Sequence, residues 1–199
     1  RLFLNPLYID LDAVPECPGL AALGLAQEVA ALRSADTVAY ARVARAKMQA
    51  LRACHARFHA SGDAARRQDF ERFRAAQGFD LKAFAAFEVL RARFGHGRWR
   101  DWPPPWRRPE PAQLDALRAE EPAAFEFHEY VQWIAAVQLD ACRAAARRHG
   151  LPIGLYLDLA VGVDPAGADA WIMQDDMLAG VVIGAPPDQY NPAGQDWGL

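Results

Sequence analysis

The rhythm of apolar and polar positions changes several times along this chain. Leu7–Leu11 (LYIDL) is a short β-favouring stretch, opened by Asn5 and Pro6 and closed by Pro15 and Pro18. Beyond Gly19 the spacing becomes helical. A helix is predicted over 20–33, and Asp36 is placed to cap the next one, since a carboxylate can accept from an unpaired backbone N–H at a helix start. In that next helix Ala44, Met48, Leu51, His55 and Phe58 recur at steps of three and four, which makes one apolar face. Two further amphipathic helices are predicted over 64–76 and 81–94.

Gly95–Pro111 (GHGRWRDWPPPWRRPEP) is rich in Trp, Arg and Pro, and its run of prolines is expected to exclude helix. A helix over 113–119 follows, then a long one from Pro122, with Phe127, Tyr130, Val131, Ile134, Val137 and Ala141 as its buried stripe. Gly150 suits the position after a helix end, and Pro152 blocks continuation. Ile153–Leu159 (IGLYLDL) reads as a strand buried on both faces, as a parallel sheet requires. Val181–Ile183 is a second candidate strand, with a short helical link over 175–178. The pattern is a mostly helical block set between strand-like segments of an α/β core.

Composition narrows this picture. A chain of 199 residues with 52% hydrophobic content and a mean hydropathy of -0.13 can build a real core and is not a disordered one. A net charge of -3 supplies no field that would draw nucleic acid or an anionic membrane to the whole chain. Cys17, Cys54 and Cys142 are widely spaced, fit no metal template and cannot all pair with one another. Free thiols in a reducing cytoplasm are the simplest reading, and no apolar run is long enough to span a membrane. The chain opens at Arg1, directly before a strand-like stretch, and closes on Trp-Gly-Leu inside a loop. Both ends suggest a boundary imposed on a longer protein.

The densest chemistry lies in Gly184–Leu199 (GAPPDQYNPAGQDWGL). Pro186 and Pro187 stiffen the backbone, while Gly184, Gly194 and Gly198 permit tight turns. Between them, Tyr190 or Trp197 can cover the C–H face of a sugar, and Asp188 and Gln195 can hold its hydroxyls. The plainer alternative is a surface loop whose aromatics pack back on the core. Other candidates favour plain readings. His55 and His59 have the i, i+4 spacing of zinc ligands, but no H-E-x-x-H surrounds them, and a packed histidine fits better. His96 and His128 have no recognisable partners. Asp175 and Asp176 are better placed to cap the short link than to bind a cation. The Trp and Arg side chains of 98–108 can stack nucleobases, but the charge and the prolines favour structural packing.

The string Gly184–Leu199 also resembles the G-x-P-P-D-x-(F/Y)-x-x-x-G-Q-x-W-G loop of the amylomaltases, the bacterial 4-alpha-glucanotransferases. Asn5–Leu11, Trp99–Pro103, Phe127–Trp133 and Tyr156–Val163 are similar to other segments of that family. The resemblance implies a fragment of a (β/α)8 TIM barrel, an α/β fold, carrying a large and mostly helical insertion. On this reading residues 1–18 are a barrel strand segment, 19–120 the insertion, and 121–199 a barrel helix, strands and the active-site loop. It implies Asp158, Asp188, Tyr190, Gln195 and Trp197 as contacts to an α-1,4-glucan or maltooligosaccharide, Asp158 standing at a strand end. Retaining catalysis needs two carboxyls about 5–5.5 Å apart. The family carries them in R-x-D-H and A-E-D-L-G segments, with a third aspartate in T-H-D. None of these strings occurs here, so this chain by itself is expected to be inactive and to carry one wall of the cleft. No metal or organic cofactor is implied. The rival reading is an autonomous, non-catalytic helical module that binds glucan or a protein partner. An incomplete barrel would also be expected to self-associate through uncovered strand edges.

Overall fold

The computed structural model describes residues 2–95, 97–157, 162–177 and 182–198, at Val182, Trp197 and Gly198 through the backbone alone. The described residues are rich in helix: α1 (Ala26–Arg33), α2 (Tyr40–Ser61), α3 (Ala64–Arg93, interrupted at Gly78), α4 (Pro104–Arg107), α5 (Pro111–Glu120), α6 (Pro122–Arg148) and α7 (Ala168–Ile172). Their strands, β1 (Val182–Ala185) and β2 (Gln195–Gly198), form one two-stranded sheet. No helix among the described residues is long and apolar enough to cross a membrane. The chain divides into two compact units. One comprises Arg1–Phe3, Gly78–His128 and Tyr156–Leu199, and the other Leu4–Gln77 and Glu129–Leu155.

The second of these units is built on α2, the first part of α3 and the latter part of α6. Leu51, Cys54 and Phe58 of α2 are buried with Phe70, Tyr130 and Trp133. Their rings meet at an angle, with Phe58 and Phe70 each 5.3–5.6 Å from Trp133. Inside this apolar set lies one charged hub. The Arg66 guanidinium grips the buried Glu16 carboxylate with two bonds of 2.9 Å, and Tyr130 Oη donates to it at 3.1 Å. Arg66 also lies 4.3 Å over the Trp133 ring. A buried charge persists only with such a paired and hydrogen-bonded partner.

The segment Leu4–Asp10 shows how sequence and tertiary context diverge. LYIDL favours a strand, yet Pro6–Tyr8 forms a 3-10 turn and the rest is irregular. The peptide groups that would pair across a sheet are met by helix side chains instead. Gln132 on α6 donates to Leu4 O and accepts from Leu4 N, each at 2.9 Å. Two helical turns on, Gln138 does the same for Asp10, each bond at 2.8 Å. Lys47 Nζ donates to Leu7 O and Ile9 O at 2.6 and 2.7 Å. A primary amide offers the donor and acceptor that a strand neighbour would.

In the other unit, Phe87, Leu90, Trp102, Leu114, Leu117, Phe125 and Trp171 form a buried core. Trp102 and Trp171 stand 5.4 and 5.6 Å from Phe87, and Phe3 stacks on Phe84 at 4.2 Å. Trp99, Trp102 and Trp106 are part of this packing, while Arg98, Arg100, Arg107 and Arg108 are exposed. Trp99 Nε1 donates to Pro165 O at 2.9 Å, and Arg100 lies 4.2 Å over the Trp99 ring.

Several helix boundaries differ from the sequence expectation. The helix expected over 20–33 begins only at Ala26, because the chain first turns through Gly24 and returns Leu25 N–H to Leu20 O. Asp36 caps nothing, since α2 starts at Tyr40 with Ala39 at its N-cap. The buried face of α2 is Ala46, Ala50, Leu51, Cys54, His55 and Phe58, so Ala44 and Met48 flank it. The prolines after Trp102 do not exclude helix. Pro104 opens α4, where a missing N–H costs nothing. On α6, Val137 and Ala141 are exposed, because burial closes around the helix over 129–135 and then ends. Residues 153–157 are irregular and Ile153 and Tyr156 are exposed, so the expected strand is not formed there; the described strands, β1 and β2, pair with each other. Asp158 and Leu159 of that stretch lie outside the described residues, as do Leu178 and Val181. Within 175–178 the described residues form a turn, and Asp175 pairs with Arg108 rather than capping a helix.

Replacing Gln132 with Ala strands both peptide groups of the half-buried Leu4 and should cost about 2–3 kcal/mol in urea unfolding, whereas Gln138→Ala, beside the exposed Asp10, should cost about 1 kcal/mol or less. Alkaline stability gives a second test. Burial, with Cys17 alongside, pushes the Cys54 thiol up to about 12 from an ordinary 9.0, and burial likewise raises the Tyr130 hydroxyl. Above pH 9 the unfolded chain sheds a proton that the folded chain keeps, so stability falls as pH rises. The melting temperature should therefore drop between pH 8 and 11, with a shallower slope in Cys54→Ala; equal slopes would rule this cause out.

Candidate functional site

β1 and β2 pair antiparallel, with Val182 opposite Gly198, Gly184 opposite Asp196 and Ala185 opposite Gln195. The loop Pro186–Gly194 joins them, and its shape follows from three local constraints. At Gly184 an added Cβ would stand 2.7 Å from Gln195 O, so only a bare Cα lets the strands approach. Gly194 has φ 74°, and a Cβ there would meet Ala185 O at 2.8 Å. Between them, one Asp188 carboxylate oxygen, Oδ1, accepts from Tyr190 N at 2.8 Å and Asn191 N at 2.7 Å. Asn191 O in turn accepts from Asp188 N and Gly194 N at 3.2 and 2.9 Å.

The result is a loop whose backbone is satisfied internally while its side chains face water. Tyr190 is 86% exposed, and Asp188, Gln189, Gln195 and Asp196 are exposed too. Such an uncovered ring, held on a backbone with its own bonds, suits stacking on a ligand. The loop residues 184–198 include acids but no Lys or Arg, which suits a neutral, hydroxyl-rich ligand better than an anion.

Of the predicted contact residues, the structure joins Asp188 to Tyr190 through a hydrogen bond and places Gln195 at the start of the returning strand. Trp197 is described through its backbone, opposite Ile183, and Asp158 lies outside the described residues. Asn191 was missed: its carbonyl is the second knot of the loop, and a backbone acceptor leaves no mark in side-chain chemistry. His55 is buried and tilted against Tyr130, while His59 is exposed with its Nε2 3.2 Å from that of His55. A groove of about 310 Å³ walled by Leu11, Leu20, Leu25, Val29, Leu32 and Val43 contains none of the predicted contacts.

Comparison with solved structures defines the class of fold. Amylomaltase from Streptococcus agalactiae in complex with acarbose superposes with a TM-score of 0.75 at 20% identity, over 98% of this chain and 40% of that one. The 4-alpha-glucanotransferase family model matches residues 1–199, and this chain belongs to that family. The 4-alpha-glucanotransferase of Mycobacterium tuberculosis is 35% identical over 99% of this chain, and that of Haemophilus influenzae 29% identical over all of it. The chain spans 27% and 31% of the length of those two relatives.

Gly194→Ala forces a left-handed residue to carry a side chain against Ala185 O, and Gly184→Ala pushes the strands apart. Each should destabilise the hairpin by about 1–3 kcal/mol. Faster hydrogen exchange of the amides that bond across β1 and β2 is the readout, and unchanged exchange in both variants would refute the close-approach account.

Proposed function

We propose that this chain is a segment of a 4-alpha-glucanotransferase that supplies one wall of the cleft for α-1,4-glucans. The observation that carries this is the exposed ring of Tyr190 on a loop whose backbone is internally bonded, in a chain of this family. Tyr190, with Gln195 and Trp197 from the returning strand and Asp188 in the same loop, forms the glucan contact, and Asp158 is a further proposed contact. A pyranose offers an apolar C–H face to a ring and hydroxyls that need both donors and acceptors, which an amide and a carboxylate provide.

The proposed architecture is a (β/α)8 barrel fragment with a helical insertion. On this reading residues 1–18 belong to the barrel part, though their described residues form no strand, 19–120 are the insertion, and 121–199 return to the barrel. The fold shared with a solved amylomaltase supports this reading. Residues at the C-terminal ends of barrel strands and on the loops that follow them face the active site in such folds. The reaction is a retaining transfer: one carboxyl takes the glycosyl unit covalently, the other protonates the leaving oxygen, then activates the accepting hydroxyl. The chain's own residues bind and orient the glucan, and the carboxyls of the R-x-D-H and A-E-D-L-G segments do not come from this sequence. Maltooligosaccharides are the proposed donors and acceptors, in a cytoplasm where Cys17, Cys54 and Cys142 stay free thiols.

In the protein as encoded, Tyr190→Ala should weaken maltoheptaose binding roughly 3- to 10-fold, the worth of one stacked ring. Isothermal titration measures this, alongside glucose release from maltotriose as the transfer assay. Unchanged affinity in Tyr190→Ala would remove the loop from the glucan site.

A further inference from the structure

The Asp188 carboxylate has two chemistries open to it: a hydrogen bond to a sugar hydroxyl, or a bond to its own backbone. The structure places Oδ1 on the second. It accepts from the N–H groups two and three residues ahead, at 2.8 and 2.7 Å, both within the normal range for strong charge-assisted bonds. Those N–H groups belong to Tyr190 and Asn191. The turn they sit in crosses from Pro187 to Gly194 without regular pairing, so without Asp188 both would turn to water. Tyr190 is 86% exposed, and among the described residues its hydrogen bond is the one its N–H makes to Asp188. Its ring is therefore aimed by the backbone alone, and the backbone at that point is held by Asp188.

We propose that Asp188 is a positioning residue, whose carboxylate Oδ1 staples the N–H groups of Tyr190 and Asn191 and sets glucan affinity through the orientation of the Tyr190 ring. This rests on the reading of the loop as a glucan contact and refines Asp188's part in it. Asn191 completes the device, since its carbonyl holds Asp188 N and Gly194 N and so ties the staple to the close-packed glycine. The distinction from direct ligation is chemical. A staple needs one neutral or charged acceptor oxygen, whereas a ligand contact that uses the carboxylate's charge needs the charge. Asn provides the oxygen without the charge and forms the same turn.

The test uses Asp188→Ala, Asp188→Asn, Tyr190→Ala and Asp188→Ala with Tyr190→Ala in the protein as encoded, with maltoheptaose affinity by isothermal titration and amide hydrogen exchange at residues 190 and 191. Asp188→Ala should lose roughly the same 3- to 10-fold as Tyr190→Ala, and the double variant should be little worse than Tyr190→Ala alone. Asp188→Asn should recover most of the loss, with exchange slow at both amides in Asn and fast in Ala. If Asp188→Asn binds as poorly as Asp188→Ala while its amides stay protected, the carboxylate ligates the sugar directly and the staple role is overturned. Additive losses in the double variant overturn it as well. If Tyr190→Ala leaves affinity unchanged, the glucan reading of the loop fails, while the exchange of the two amides still decides whether Asp188 is a staple.

Discussion

The constraint that recurs throughout this chain is that every peptide group leaving regular structure must find a donor or acceptor elsewhere. The described residues outside the helices pair with one another in only one short sheet, so side chains carry much of this burden. Gln132 and Gln138 bracket Leu4 and Asp10. Lys47 is held by burial below its ordinary pKa, yet it stays where it can donate to Leu7 O and Ile9 O. The indoles of Trp99 and Trp171 donate to Pro165 O and Trp106 O. Tryptophan suits that work because its ring is buried with the core while its one donor reaches the loop.

The hairpin loop applies the same rule at an exposed site. Its order comes from Asp188, from Asn191 O and from two glycines at which a Cβ would stand only 2.7 and 2.8 Å from a backbone carbonyl oxygen. This leaves the side chains uncommitted. A binding surface needs that separation: rigidity assigned to the backbone lowers the entropy cost of ordering on binding, while an exposed ring remains open to a ligand.

Helices were legible where side-chain spacing was regular. The break near Gly78, the long α6 and its end before Gly150 follow from periodicity and end signals. The stretch 184–199 was legible through its resemblance to a family motif, since its composition alone fits a plain surface loop as well. Less was legible where the outcome depended on a distant partner. LYIDL is β-favouring by composition, but its peptide groups are met by Lys47, 38 and 40 positions away, and by Gln138, 128 positions away. Burial around 129–135 of α6 was likewise hidden, since periodicity describes one face and this stretch is enclosed on all sides.

By itself, the sequence determined most of the helical stretches, though not all their bounds, and the family that the loop resembles, because propensity, periodicity and motif spacing are local properties. Tertiary structure alone decided that Leu4–Asp10 is held by helix amides, that Glu16 is buried with Arg66 and Tyr130, and that Asp188 bonds its own loop. Those outcomes rest on which donor comes within about 3 Å of which acceptor, a distance that no local pattern in the chain specifies.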